Sequence, residues 1–338
     1  MSIGIGLVGL GFMGKMHFET YQRTGIARVV ALCDSDPKKL EGDWSGIAGN
    51  IGARGSKVDL SGIAVTTELE QLLKNPAVTV VDITLPTALH EAAVIAALKA
   101  GKDVICEKPM ARTSSAARRM LKTAKSMGRR LYIAQCIRFW PTYAKAYELV
   151  RSECYGALLS AEFHRECSTP MGSHQNWLQA ADQSGACALD LHIHDTDFIL
   201  HCFGKPQAVT SRGMGFSPGR LDHIVTTYEY PGAPLVLAEG AWEHAADYPF
   251  AMYFVINFAK GTLRGDHASL VYYDRAGGKV SIPVESGDGY EAELRHFIDC
   301  ISRKVDSPVV SSESAMESLR IVEAEMASAF KGRRVRIS

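Results

Sequence analysis

The sequence lacks a net charge: its 37 Lys and Arg are matched by 37 Asp and Glu over 338 residues. Without a basic excess to follow a phosphate backbone or an anionic lipid surface, nucleic acid and membrane are not expected as partners, and a small molecule is. No apolar run approaches the roughly 18 residues of a membrane helix, and no positively charged leader precedes the first apolar run. The expected compartment is therefore the cytoplasm. The eight cysteines, at 33, 106, 136, 154, 167, 187, 202 and 300, contain no CxxC pair, and several sit inside apolar runs. That pattern predicts buried free thiols and a fold that does not depend on disulfides. Internal repeats and low-complexity segments are also missing.

What is present suits two domains. At 338 residues, 46% of them hydrophobic, the chain is too long for one ordinary core. Up to about residue 135, β-rich runs (IGIGLVGL, RVVALCD, TVVDITL, DVICEKP, RLYIAQC) alternate with helical patterns (TELEQLLKN, HEAAVIAALKAG, SAARRMLKTAKSMG). Alternation of this kind predicts an α/β fold with a doubly wound parallel sheet. Beyond that point, over 136–338, strand-like stretches follow one another across short turns, from ALLSAEFHRE through QAVTSRGMG, DHIVTTYEYP, PLVLAEGAWE and AMYFVINFA to KVSIPV. They predict an α+β domain built on an open, mostly antiparallel sheet. Helical patterns at 188–198, 290–303 and 312–330 complete it, and the Gly-rich stretch at 42–56 reads as an insertion.

The first β-run meets GLGFMG, which places Gly9, Gly11 and Gly14 in G-x-G-x-x-G order between a strand and a helix, with Phe12 and Met13 between the glycines. Gly9 allows the tight turn, Gly11 lets a pyrophosphate approach the backbone, and Gly14 lets helix pack on strand. Asp34 ends the next strand, where a carboxylate can accept hydrogen bonds from an adenosine ribose. It favours NAD over NADP by repelling an extra phosphate, and the next residue, Ser35, is no arginine. Lys38 and Lys39 keep NADP open.

Together, GLGFMG, LPTALH (85–90), EKP (107–109) and DLHIHDTD (190–197) resemble the Gfo/Idh/MocA family of NAD(P)-dependent oxidoreductases over nearly the whole chain. The resemblance implies a Rossmann domain over 1–135 and a substrate and oligomerisation domain over 136–338, with homodimers or homotetramers formed through the second sheet. It implies that Leu85, Pro86 and His90 lie beside the cofactor, although His90 could equally cap its helix. Glu107 and Lys108 match the family's Glu-Lys, with the lysine reaching both nicotinamide and substrate oxygen, and the bond to Pro109 is often cis in relatives. Asp190 and His194 match the family's Asp-x-x-x-His pair, and Arg138 matches a position near substrate. His164, Asn176 and Trp177 are further candidate contacts to a sugar or polyol, and His192 stands where many relatives have glycine.

The chemistry asks for these residue types. Removing the proton of a hydroxyl as its carbon is oxidised suits a histidine, and a lysine beside that oxygen stabilises developing negative charge. On a continuous helix at about 100° per residue, Asp190, His194, Asp197 and His201 share one narrow stripe, beside an apolar stripe of Leu189, Ile193, Thr196 and Leu200. His192 and His194 point about 160° apart, and the stripe spans more than two turns, so no metal is expected. The expected activity is hydride transfer between NAD, or NADP, and a hydroxyl or keto group of a sugar, sugar derivative or cyclic polyol. The alternatives are an NAD-using glycosidase or lyase without net redox, and a ligand sensor that has lost turnover.

Overall fold

A computed structural model describes residues 3–47, 49, 54–171 and 173–337, so part of the Gly-rich stretch, at 48 and 50–53, lies outside the described residues. The chain divides into two compact units. One comprises Met1–Ala134, Gly172–Trp177 and Tyr290–Met316; the other comprises Gln135–Met171, Leu178–Gly289 and Glu317–Ser338. Among the described residues, no helix is long and apolar enough to cross a membrane.

The first unit is built on six parallel strands: β1 (Gly4–Val8), β2 (Arg28–Cys33), β3 (Ala64–Thr66), β4 (Val80–Ile83), β5 (Asp103–Glu107) and β6 (Leu131–Ala134). Their order is β3-β2-β1-β4-β5-β6. Every residue of β1, β4 and β6 is buried, as expected where helices cover both faces of a parallel sheet. The strand order reverses between β1 and β4, so the loops leaving those strands form the edge at which ligands bind in such sheets.

The segment Tyr290–Met316, assigned above to the second domain, packs with the first. Its helix Gly289–Arg303 buries Leu294, Phe297 and Ile298. Phe297 meets Tyr132 of β6 at 5.3 Å, and the Tyr132 hydroxyl donates to the Val305 carbonyl at 2.7 Å. A helix with an apolar stripe packs where an apolar surface awaits it, here on the edge strand of the first sheet, whatever its place in the chain.

The second unit carries nine strands: β7 (Leu158–Ser168), β8 (Ala208–Met214), β9 (His223–Glu229), β10 (Leu235–His244), β11 (Ala251–Phe258), β12 (Gly261–Asp266), β13 (Leu270–Asp274), β14 (Lys279–Ser281) and β15 (Val335–Arg336). They run in the order β14-β13-β12-β11-β7-β10-β9-β8-β15. The central pair, β7 with β10, is parallel and the other neighbours are antiparallel. Burial alternates along β7 and β11, which gives the sheet one face in the core. That core is aromatic: Tyr143 packs edge-on against Phe198 at 5.0 Å and Phe254 at 4.9 Å, and Phe163 lies 5.9 Å from Phe198. Each such ring contributes on the order of 2–3 kcal/mol through burial.

Candidate active site

The glycine turn at the end of β1 is built as its residues require. Gly9 has φ +92°, and its N–H donates to the Cys33 carbonyl at 2.8 Å. A Cβ on Gly14 would lie 2.0 Å from the Gly9 carbonyl oxygen, so only glycine lets the helix Phe12–Thr24 approach. Gly11 differs, because a Cβ there would meet nothing within 4 Å. Its bare backbone leaves open space before the positive end of a 13-residue helix opened by the half-buried Phe12 and Met13. The first-turn amides of such a helix have no intrahelical acceptor. This cradle, free of side chains, fits a dinucleotide pyrophosphate.

Asp34 lies at the end of β2 with 8% exposure. Its Oδ2 accepts from the Leu10 N–H at 2.5 Å and its Oδ1 from the Asp36 N–H at 2.8 Å. These bonds aim the carboxylate across the glycine turn, where a ribose diol of the same dinucleotide would lie.

At the end of β5, Glu107 is buried, Lys108 is half-buried, and the Lys108–Pro109 bond is cis. The Glu107 carboxylate accepts from the backbone N–H of Lys108 at 3.0 Å through Oε2, while Oε1 lies 3.3 Å from His17 Nε2. His17, fully buried, also meets Asp82 of β4 at 2.9 Å, and the Tyr21 hydroxyl donates to the same carboxylate at 2.8 Å. Burial opposes charge on His17, but Asp82 and then Glu107 outweigh it and hold the imidazole well above its ordinary pKa. A histidine held between two carboxylates that favour its protonated form thus underlies the turn that presents Lys108. His17 and Asp82 escaped the sequence reading. The available signal was Asp82 itself, a lone carboxylate in the otherwise apolar strand VVDI.

His90, expected beside the cofactor, joins the two loops that leave β4 and β5. Its ring is 1% exposed and bridges two carbonyls, Leu85 at 2.8 Å and Pro109 at 2.9 Å. It ties the loop after β4, with half-buried Leu85 and Pro86, to the loop after β5. Burial holds its pKa below the ordinary value.

In the second unit the DLHIHDTD stretch is not one helix. A short helix, Ala186–Asp190, ends before a second, Ile193–Phe203, begins. Between them the N–H groups of Leu191 and His192 both donate to the Cys187 carbonyl, at 3.0 and 2.9 Å, the latter closing an i to i−5 turn. Such a widened turn resets the angular register, so the continuous stripe expected above does not form. Asp190 is half-buried, and residues 191–199, with His194 at 9% among them, are buried on every side of the helix. The Asp190 charge is felt at Cys167 on β7, whose thiol burial, with this carboxylate, pushes up to about 12.

Asp195, Asp197 and the residues around them have identifiable internal partners. Asp195 receives a bidentate Arg165, at 2.8 and 3.0 Å. Asp197 receives a bidentate Arg138, at 2.7 and 2.6 Å, and the Ser318 hydroxyl at 2.7 Å. His201 stacks on Tyr147 at 3.8 Å beside Arg138; burial and then that cation pull its pKa down to about 4. Thr196, expected on an apolar stripe, donates to Glu325 at 3.1 Å. His192 is fully buried, its Nε2 3.3 Å from Glu325, and it sits over Gly240 of β10, where a Cβ would come within 2.8 Å of its own Cβ. The residue that stands in place of the family glycine is therefore seated in a notch of the sheet and does not line a ligand site.

Two residues expected near substrate, Arg138 and His164, also have internal partners. Arg138 is 5% exposed with its fork closed on Asp197, which makes it an anchor of the helix. His164 lies on the opposite face of β7 from Phe163 and Arg165, which meet the helix Ile193–Phe203. It stacks on Tyr253 at 4.6 Å and pairs with Glu239 at 3.3 Å, away from His194. Alternation along a strand forces this, and the same alternation in AEFHRE put Arg165 among the apolar residues of the core face. Trp177 is half-buried in the turn His174–Gln179, just after Gln175 and Asn176 in left-handed conformations.

Comparison with known proteins agrees with this construction. The model of the "Oxidoreductase family, NAD-binding Rossmann fold" matches residues 3–135, and the "GFO/IDH/MocA C-terminal domain" matches 143–264. Among curated relatives, 2,7-anhydro-N-acetylneuraminate hydratase of Escherichia coli K12 is 28% identical over 82% of this chain and 71% of its own. D-apiose dehydrogenase of Paraburkholderia graminis is 27% identical over 98% and 88%. A solved levoglucosan dehydrogenase in complex with NADH and levoglucosan, 21% identical, shares the fold over 100% of both chains with a TM-score of 0.84. With the glycine turn, the Asp34 carboxylate and the matches to both halves in hand, the chain belongs to the Gfo/Idh/MocA family of NAD-binding oxidoreductases.

Proposed function

We propose that the protein oxidises a hydroxyl, or reduces the corresponding keto group, of a sugar, sugar derivative or cyclic polyol. His194 is the general acid/base, Asp190 its orienting partner, and Lys108 the stabiliser of the substrate oxygen. When bound, the nicotinamide supplies the redox chemistry, and the chain's residues place the substrate and move its proton. His194 takes the hydroxyl proton, the Asp190 carboxylate favours the imidazolium that results, and the Lys108 ammonium donates to the oxygen as charge develops on it. The observation that carries the reading is the contrast inside DLHIHDTD. His192, Asp195 and Asp197 are at 0% exposure, while Asp190 is half-buried and His194 is 9% exposed. The sugar class is supported by relatives and a solved neighbour named for D-apiose and levoglucosan. Trp177 is proposed as a stacking surface for the ring.

A second reading, transformation without net redox, is favoured by the relative named as a hydratase, because adding water leaves the oxidation state unchanged. Incubation with NAD and a panel of sugars and cyclic polyols separates the two. Growth of NADH absorbance, lost in His194→Ala with NADH binding retained, supports the dehydrogenase. Substrate consumed at constant absorbance supports the second reading, and undiminished turnover in His194→Ala sinks the assigned roles. We further propose assembly through the half-exposed face of the nine-stranded sheet, which light scattering on the purified chain tests. A reducing, cytoplasmic setting is supported by eight free cysteines, seven of them buried.

A further inference from the structure

Lys108 has its backbone held on both sides. Its N–H donates to the Glu107 carboxylate at 3.0 Å, and the carbonyl of the next residue, Pro109, is met by the buried His90 ring at 2.9 Å. A main chain bracketed in this way leaves the lysine little freedom beyond its flexible stem. The first bracket depends on a carboxylate with two tasks. Glu107 is 6% exposed, and while Oε2 accepts from the Lys108 N–H, Oε1 lies 3.3 Å from His17 Nε2. A glutamate side chain turns about several bonds, so a single amide does not fix the plane of its carboxylate. A charge-assisted partner on the other oxygen does.

His17 can be that partner because it is fixed itself. It lies in the helix Phe12–Thr24 at 0% exposure, and its Nδ1 meets Asp82 Oδ2 at 2.9 Å. Asp82, also at 0% exposure, takes the hydroxyl of Tyr21 from the same helix at 2.8 Å. Asp82 and then Glu107 favour the protonated ring, in which both nitrogens donate. The strands β4 and β5 are neighbours in the parallel sheet, so the ring is a strut between a side chain inside one strand and the end of the next. All of these residues belong to the first unit.

We propose that His17 is a positioning residue for Lys108, acting through the Glu107 carboxylate. The inference rests on Lys108 as the stabiliser of the substrate oxygen and adds a residue to which that reading gives no part. A sealed ring has no access to substrate, so its influence runs through the carboxylate it holds. An ammonium aimed at a developing charge is sensitive to such a hold, since a shift of about 1 Å can cost roughly a hundredfold in rate.

The test first reads Lys108 without any substrate. Trace labelling of the full chain with acetic anhydride, followed by mass spectrometry of its peptides, gives the reactivity of each lysine. Lys102, just before β5, donates to the Val78 carbonyl at 2.7 Å and serves as the internal control for general loosening. His17→Gln should raise Lys108 labelling at least about threefold relative to Lys102, the equivalent of roughly half a pKa unit. Tyr21→Phe deletes the hydroxyl on the far side of Asp82 and leaves the link from His17 to Glu107, so the ratio should hold within about twofold. If His17→Gln does not fold, Glu107→Gln carries the test. A carboxylate offers an oxygen to each of two donors and an amide offers one, so the ring and the Lys108 N–H cannot both be served and the same rise is expected. On any sugar or polyol that the parent turns over, His17→Gln should lower kcat at least about tenfold, with KM and NADH affinity within about twofold. A ratio that stays within about twofold in the folded variant, or an equal rise in Tyr21→Phe, overturns the proposal. A raised ratio with unchanged kcat supports the positioning of Lys108 and overturns its oxygen-stabilising role.

Discussion

The bidentate pair Arg165–Asp195 is the sharpest place to test how the candidate acid/base is held. Asp195 follows His194 in the chain, and the pair is 2% and 0% exposed, with Arg165 Nη1 against Met252 Sδ at 3.1 Å and Tyr143 nearby. Burial works against the guanidinium charge and Asp195 outweighs it; a guanidinium is basic enough to stay protonated in proteins, so Arg165 keeps its charge when the carboxylate goes. Asp195→Asn keeps the shape and removes the counter-charge, leaving a buried cation facing an amide. Breaking one partner of a buried pair costs about 3–5 kcal/mol, at least roughly a fifth of the 5–15 kcal/mol that holds a domain. Replacing both, as in Arg165→Met with Asp195→Leu, removes the uncompensated charge and should recover to within about 1–2 kcal/mol of the parent. Urea unfolding followed by circular dichroism reads both numbers, and in the folded double variant kcat should fall while NADH affinity holds. An Asp195→Asn variant within about 1 kcal/mol of the parent, or a double variant no better than the single, would refute the reasoning.

Three other outcomes follow from the same geometry. His201 has a folded pKa of about 4, below the roughly 6.5 of an unfolded histidine, so the unfolded chain takes up a proton that the folded ring refuses. Stability should fall as pH drops from about 6.5 toward 4, by roughly 1–2 kcal/mol once solvent screening of this half-buried ring is allowed for, and His201→Gln should flatten that limb. His17 has the opposite sign: its folded pKa is raised, so its contribution is complete below about pH 6.5 and is lost as pH climbs through the folded value. The stability gap between the parent and His17→Gln should therefore narrow from about pH 6.5 upward, and a gap that widens between 6.5 and 8.5 would sink the buried-imidazolium assignment. Gly240→Ala places a methyl 2.8 Å from the His192 Cβ and should cost about 1–3 kcal/mol by thermal unfolding; a neutral effect would show that His192 does not occupy that notch.

The parallel sheet, the glycine turn and Asp34 were legible because their signals are local. A fully buried strand reads as an apolar run, and G-x-G-x-x-G between strand and helix admits few backbones. The eight longer strands of the second sheet were legible for the same reason, but the parallel pairing of β7 with β10 was not, since pairing partners separated by some seventy residues leave no periodic trace. The strand end that carries Glu107 and Lys108 was legible, whereas the two carbonyls that flank the His90 ring were not, because a histidine between two carbonyls and one facing a ligand look alike in a sequence. The wheel drawn through Asp190 to His201 failed at a single i to i−5 turn, which no residue type announces.

The density of ionisable residues in DLHIHDTD is better explained by anchoring than by a crowded reaction centre. A helix buried on every side gains little position from apolar packing, which is non-directional; direction comes from bonds with fixed geometry. Each sealed ionisable residue here is met by one from a different element: Arg165 from β7, Arg138 from the turn Cys136–Phe139, and Glu325 from the long helix Ser312–Lys331. Three such ties at 192, 195 and 197 fix the rotation and the height of the helix that carries His194. A single-tie explanation would make two of them dispensable, whereas triangulation makes the loss of any one displace the histidine. Polar residues beside a candidate catalytic residue can thus serve its geometry and take no part in its chemistry, and their partners lie too far along the chain for spacing alone to reveal.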